Sequence, residues 1–338
     1  MKQIVITKHG GPESLKVENR PDISAGKGEL LIRVKASGVN FADIMARQGL
    51  YPDAPPLPCV VGYEVSGIVE AVGPGADASL RGKSVFALTR FGGYSDLVSV
   101  PSKQVFKMPA GISFEQAATI PVNYLTAYQL LVAMGGLKKS ESILIHNAGG
   151  GVGLAALEIA KHIGAKTYGT SSAGKHPFLK KKGLNFPIDY RTGDWSRELN
   201  ALTGGRGVEL IIDPLGGGHW KKSYAALRAT GRLGMFGIST AVESKLFGIL
   251  RLVSTAVSMP SFGPISLMNK NRSVFGVNLG HMWDEQEKVS EWMSSILDGV
   301  KKGWIKPHVD KVFRFEEAGK AHLYMEERKN TGKVILVP

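Results

Sequence analysis

A single cysteine, Cys59, stands in 338 residues. That excludes an internal disulfide and any metal site built from several thiolates. Cys59 lies between Pro58 and Val60 and reads as a small buried apolar residue. No apolar run reaches the length a membrane span requires, so no transmembrane segment is expected. Met1 to Ile6 reads as a short strand rather than a leader peptide. Acidic residues are in deficit, with Asp+Glu at 29 against Lys+Arg at 42, a formal net charge of +13. Such a balance favours anionic partners, phosphates among them. The basic clusters at Lys138–Lys139 and Lys180–Lys182 read as solvated faces or turns. They lack the interleaved aromatics of a nucleic-acid site, so no nucleic-acid partner is expected. A cytoplasmic protein is the default reading.

What is plentiful is glycine, 42 residues spread through apolar strands. That composition calls for tight turns and close backbone contacts. The length suits two domains. The first third is strand-like and broken by Gly and Pro: Glu29 to Val39, Val60 to Val72 and Gly82 to Thr89. It predicts a small β-rich, barrel-like domain. From Ser113 the rhythm changes. Ser113 is a candidate N-cap, and helical spacing runs to Met134 with Pro121 interrupting it. Strands then alternate with helices: Ser142–Asn147, helix Leu154–Ile163, Lys166–Thr170, a helix carrying Phe178–Lys182, Phe186–Tyr190, Val208–Asp213 and Arg232–Phe236. That alternation predicts an α/β fold with a doubly wound parallel sheet of the Rossmann type. Ala241 to Ser273 is rich in Met and Leu, including Leu246, Phe247, Ile249, Leu250, Leu252, Val253 and Met259. It reads as a helix on the core or an oligomer contact, or else as a lid or membrane contact. The tail returns to strands and an amphipathic helix, Glu285–Gly299.

The strongest chemical signal begins at Ile143, where an apolar strand runs into Ala148-Gly149-Gly150-Gly151-Val152-Gly153 and then a helix. Ala148, Gly150 and Gly153 take the three positions of a G-x-G-x-x-G fingerprint, with Ala in the first. Gly150 lets a pyrophosphate approach the backbone, and Gly153 lets the helix pack on the strand. The N–H groups opening the helix favour an anion there. At the end of the next strand an NAD site places Asp or Glu for the ribose 2′-OH. Here the run is Gly169-Thr170-Ser171-Ser172-Ala173-Gly174-Lys175, with no acid. Ser172 and Lys175, joined by Tyr190 and Arg191 after the following strand, suit a 2′-phosphate, so NADPH is the expected cofactor.

Four segments carry a resemblance over essentially the whole chain: Ser37-Gly38-Val39-Asn40-Phe41-Ala42-Asp43, Gly62-Tyr63-Glu64-Val65-Ser66-Gly67, the glycine turn, and Asn330-Thr331-Gly332-Lys333-Val334. Together they resemble the medium-chain dehydrogenase/reductase family in its quinone oxidoreductase branch. The stretches SVFGVNLGHM, IKPHVDKVFRF and ERKNTGKVILVP are similar to the vesicle amine transport subgroup. The resemblance implies a GroES-like catalytic domain from 1–121 and 273–338 and a Rossmann domain from 122–272. Zinc enzymes of this superfamily carry Cys where Asn40 stands and His where Tyr63 stands. They also have a four-Cys structural lobe, which is absent here. Asn and Tyr are poor zinc ligands, so no metal is expected, and His146, His162 and His281 read as ordinary histidines. The implied reaction is hydride delivery from NADPH to a quinone or other small apolar conjugated carbonyl. Reduction of an enone or enoyl thioester is an alternative. So is a membrane-associated or interaction protein of the same fold with little activity. Asn40 and Tyr51 are the expected catalytic groups near substrate. Met45 stands where quinone reductases often have Tyr, which implies a more apolar pocket. Asn40, Thr126, Phe236 and Asn330 complete the expected cofactor contacts. A homodimer is the expected assembly, with peripheral membrane contact as a further option.

Overall fold

The computed structural model describes residues 1–243, 250 and 257–338. The apolar residues Leu246, Phe247, Ile249, Leu252 and Val253 therefore lie outside the described residues. The chain forms two compact units, Met1–Leu125 with Gly280–Pro338, and Thr126–Leu279.

The first unit is β-rich. Its strands are β1 (Lys2–Ile6), β2 (Leu15–Asn19), β3 (Glu29–Val39), β4 (Glu64–Val72), β5 (Ser84–Leu88), β6 (Leu97–Pro101) and β7 (Val105–Lys107). The tail adds β14 (Val309–Arg314) and β15 (Lys333–Val337). Seven strands form one sheet in the order β14-β15-β3-β4-β5-β7, with β6 also pairing β3. The inward positions of β3, β4, β5 and β6 bury Leu30, Ile32, Val34, Val65, Val69, Val85 and Val98, as strand periodicity requires. The β15 strand runs antiparallel to β3, with Val334 opposite Val39. That register delivers Lys333 beside Asn40.

The second unit holds β8 (Ser142–Ile145), β9 (Lys166–Ser171), β10 (Phe186–Asp189), β11 (Val208–Asp213), β12 (Leu227–Met235) and β13 (Ser273–Gly276). The sheet order is β10-β9-β8-β11-β12-β13, and every pairing is parallel. The chain starts in the middle at β8, winds out to β10, then returns to β11 and winds the other way. The reversal point lies between β8 and β11, where doubly wound sheets bind ligands at their carboxyl ends. Leu144, Tyr168, Ile188, Trp195, Leu199, Ile211 and Leu233 form its core. The fold is thus α/β, a Rossmann sheet plus a GroES-like domain.

Several boundaries differ from the sequence reading. Ser113 does cap a helix, Phe114–Ala117, in a reciprocal box with Gln116. Pro121 does not interrupt the next helix but opens it, at the second residue of Ile120–Tyr128. A first-turn proline loses no hydrogen bond there. The helix after the glycine turn begins at Gly151, three residues earlier than its apolar periodicity indicates. The tail also carries a second helix, Ala318–Glu326, beyond the one amphipathic helix its residue pattern indicates.

Candidate functional site

In the second unit the chemistry gathers at the carboxyl ends of β8, β9 and β10. After β8, Ala148 N–H donates to the Thr170 carbonyl (3.0 Å) and Gly150 N–H to the Asn147 carbonyl (2.9 Å). Asn147 takes a left-handed φ of 53°, a conformation its short polar side chain tolerates. Gly150 caps the helix Gly151–Ile163 with no side-chain hydrogen bond. A Cβ on Gly153 would lie 2.3 Å from the Asn147 carbonyl oxygen, and one on Gly150 would lie 2.7 Å from the Asn147 amide nitrogen. Backbone therefore bars any side chain at Gly153, a side chain at Gly150 would have to push the Asn147 amide aside, and the backbone of the turn stays open to a close ligand. A Cβ on Gly149 would meet Lys175 Cδ at 2.9 Å and Nζ at 3.8 Å. The lysine thus lies along the turn.

Parallel pairing sets Asp189 opposite Ser171, so Ser172 and Tyr190 follow side by side on adjacent strands. Tyr190 N–H donates to the Ser171 carbonyl (3.4 Å). The acid at this edge, Asp189, is turned to its own loop, accepting from Arg191 N–H and Thr192 Oγ1 (both 3.0 Å). The backbone bond from Arg191 is the main influence lowering its carboxyl below the usual range. An open glycine cradle, an adjacent lysine and no acid directed at a ribose fit a dinucleotide bearing a 2′-phosphate. Thr126 is buried in Ile120–Tyr128, and Phe236 follows β12 with its N–H on the Asp213 carbonyl (3.3 Å).

In the first unit Asn40 caps the helix Phe41–Arg47, its N–H donating to Asp43 Oδ2 (2.8 Å). Its side chain has protein partners at both ends. Nδ2 donates to Glu64 Oε1 (3.1 Å), and Oδ1 accepts from Lys333 Nζ (2.6 Å). Lys333 also pairs with Glu64 Oε1 at 2.5 Å, and both side chains are almost fully buried. Glu64 Oε2 accepts the Val122 N–H (2.8 Å) at the start of Ile120–Tyr128. Asp43 is fully buried beneath this cluster, accepting from Gly62 N–H (2.9 Å) and Tyr94 OH (3.1 Å). Burial pushes its carboxyl up to about 7, against the opposing pull of the Asn40 and Gly62 N–H donors. Arg47, also buried, reaches Glu326 (2.7 Å) and ties this helix to Ala318–Glu326.

Tyr51 is half-buried beside this cluster, edge-on to Tyr63 with ring centroids 6.1 Å apart. Burial raises its phenol above the ordinary value. Met45 is buried. Asn330 folds back on its own loop, Nδ2 to the Gly332 carbonyl (3.0 Å). Asn40, Tyr51 and Asn330 thus lie in the first unit, and the remaining expected site residues in the second.

One grouping was missed. His146, Asp213 and His219 bring their ligating atoms within 4.8 Å of one another. His219 Nδ1 lies 2.6 Å from Asp213 Oδ2, Ser223 Oγ donates to the same oxygen (2.7 Å), and His146 Nε2 lies 3.2 Å from Ser223 Oγ. Burial holds the His146 ring down to about 3, so it is neutral. His219 and Ser223, on one face of the helix Gly218–Ala225, are four residues apart, the one local signal that could have flagged the group. Among its members the carboxylate already has hydrogen-bond donors. His281 pairs with Asp53 (2.8 Å) on the surface.

These two units define an oxidoreductase architecture. Residues 26–110 match the alcohol dehydrogenase GroES-like domain, and residues 182–336 match the zinc-binding dehydrogenase family. The chain is 40% identical over 341 residues to the Homo sapiens synaptic vesicle membrane protein VAT-1 homolog, covering 100% of this chain and 86% of that protein. It superposes on Escherichia coli quinone oxidoreductase complexed with NADPH with a TM-score of 0.88 and 32% identity, covering 100% of both chains. The CurK enoyl reductase structure gives 0.86 and 27%, covering 99% of this chain and 98% of that one. The chain belongs to the medium-chain dehydrogenase/reductase superfamily, alongside the VAT-1 homologues and quinone oxidoreductases.

Proposed function

We propose that this chain is an NADPH-dependent reductase that passes hydride to a quinone or another neutral conjugated carbonyl, without zinc. The observation that carries the reading is the glycine turn with Lys175 along it and no acid aimed at a ribose 2′ position. Ala148 to Gly153 hold the pyrophosphate through backbone N–H groups, and Ser172, Lys175 and Tyr190 take the 2′-phosphate. Thr126, Phe236 and Asn330 are assigned to the remaining cofactor contacts. The cofactor supplies the hydride. Tyr51 donates to the acceptor oxygen as charge develops on it. Asn40 acts by position: it caps Phe41–Arg47 and fixes Glu64 and Lys333.

Zinc independence rests on the same cluster. Asn40 and Tyr63 replace the thiolate and imidazole of a zinc site, and the buried Lys333 ammonium already supplies the cation beside Glu64. A divalent ion there would have to coexist with that charge. Enoyl reduction is the second reading, supported by the likeness to an enoyl reductase. Both reactions use a conjugated hydride acceptor.

We assign a cytoplasmic homodimer. Among the described residues, no helix is long and apolar enough to cross a membrane. Val257, Ile265 and Met268 are mostly exposed near the sheet-edge strand β13 in sequence, apolar surface suited to a second copy or a membrane face. The test of the reading is NADPH oxidation against quinones, enals and enoyl thioesters. Turnover of none of them would end it.

A further inference from the structure

The Tyr51 phenol lies on a hydrogen-bonded chain that runs to the surface of the first unit. Tyr51 and Asp53 share one tight turn, closed by Ala54 N–H on the Tyr51 carbonyl (3.1 Å). Pro52 at its second position restricts the backbone and holds the two flanking side chains in a set relation. The Tyr51 hydroxyl is hydrogen-bonded to the Tyr63 phenol and donates to the Asp53 carboxylate. Asp53 Oδ2 in turn accepts from His281 Nε2 (2.8 Å). A carboxylate only accepts, so Nε2 carries the proton of that bond. Exposure rises along the chain: Tyr63 is buried, Tyr51 half-buried, the Asp53 side chain 39% exposed and His281 64%. His281 ends the short turn Leu279–His281 and reaches Asp53 across 228 residues of sequence. An exposed ion pair adds little to stability. What this one adds is a continuous path of exchangeable protons from solvent to the phenol.

We propose that Asp53 and His281 form a proton relay that resupplies Tyr51 as it protonates the reduced acceptor. The inference rests on the reductase reading and extends it to the second half of the reaction, the delivery of the proton. The hydride brings two electrons from NADPH to the acceptor and leaves NADP+. The acceptor oxygen, now anionic, takes the Tyr51 proton, so its O–H bond forms as the phenol O–H breaks. Asp53 receives the Nε2 proton of His281 and passes it to the phenolate. His281 takes its replacement from solvent, and the sum is one hydride and one proton added to the acceptor. Imidazole suits the outer position, since it exchanges protons near neutral pH. Tyr51 touches the acceptor in this scheme; Asp53 and His281 act through it and are positioning residues.

The test compares wild type, His281→Ala and Asp53→Asn in NADPH turnover of saturating 1,4-naphthoquinone, in dilute buffer with and without added imidazole. A positioned proton donor contributes about 10²–10⁴-fold, and water replaces part of a loss at the exposed end. His281→Ala should therefore lower kcat by roughly 10-fold or more with KM unchanged. Free imidazole should restore most of that loss in His281→Ala and none of it in Asp53→Asn, where the group that receives its proton is gone. Both side chains are on the surface, so both variants should melt as wild type does, which certifies their folding. The second measurement is nitrogen NMR of the imidazoles at fixed pH. The His281 ring signals should move in Tyr51→Phe, through Asp53. Unchanged kcat in His281→Ala, a rise in KM alone, or a loss that imidazole does not restore overturns the relay, and so do His281 signals indifferent to Tyr51→Phe. No turnover of any acceptor by wild type overturns the reductase reading instead, and moved His281 signals then leave the hydrogen-bonded chain standing.

Discussion

The buried trio of Asn40, Glu64 and Lys333 invites the sharpest perturbation. Lys333→Met removes the ammonium and keeps most of the side-chain volume. Among the described residues, Glu64 would then keep Asn40 Nδ2 on Oε1 and the Val122 N–H on Oε2. Its carboxylate has no exposure, so water cannot replace the lost charge. Leaving one member of a buried pair uncompensated costs about 3–5 kcal/mol. That is a large share of the roughly 5–15 kcal/mol that holds a typical protein folded. Rearrangement offers little relief, because a Cβ on Gly38 would already lie 2.4 Å from Glu64 Oε1 and 2.6 Å from Lys333 Cε. Urea denaturation followed by circular dichroism at pH 7 reads the loss. Lys333→Met combined with Glu64→Gln should recover most of it, since the double variant buries no charge. A loss under about 1 kcal/mol for Lys333→Met, or strict additivity in the double variant, would refute the argument, because a coupled pair gives a non-additive cycle.

Lys175→Ala should weaken NADPH by about 1.5–3 kcal/mol, the worth of a hydrogen bond to a charged group, and leave NADH nearly unchanged in equilibrium titrations. Equal weakening of both cofactors removes Lys175 from the 2′-phosphate. Tyr51→Phe should lower kcat and kcat/KM together. A rise in KM with kcat intact would reduce Tyr51 to a packing surface. For acid sensitivity, burial first and the nearby Arg47 second hold the His322 imidazole down to about 3, from an ordinary value of 6.5. Between those values the unfolded chain takes up a proton that the folded chain refuses. The stability this group contributes is therefore complete above about pH 6.5 and lost as pH falls, at roughly 1.4 kcal/mol per pH unit. His322→Gln should flatten that part of the slope in thermal melts between pH 6.5 and 4.5, and an unaltered slope would exclude His322 as a source of acid lability.

What could be read in advance was local. A strand, a glycine turn and a helix follow one another within Ser142–Ile163, so their chemistry is written in adjacent residues. The missing acid after β9 is equally local. The helix starts at Gly151, ahead of its apolar periodicity, because consecutive glycines weaken that periodicity while the turn geometry still permits a helix. Contacts distant in sequence were not legible from pattern. Lys333 lies 293 residues from Asn40, and only the strand register between β15 and β3 brings them together. His146 reaches Ser223 across 77 residues because β8 and β11 are neighbours at the sheet's reversal point. The occupied state of the Asn40 amide belongs to the same class. Its residue type was informative, but its partners came from elsewhere in the chain.

The central claim is hydride transfer from NADPH without metal. The measurement is NADPH oxidation with 1,4-naphthoquinone, before and after exhaustive treatment with a chelator, with zinc counted in the same treated sample. The account predicts NADPH-dependent turnover that survives chelation, with no stoichiometric zinc in the active protein. Zinc held at one ion per chain, at the Asn40–Tyr63 position or at His146, Asp213 and His219, with turnover lost on its removal, would contradict it.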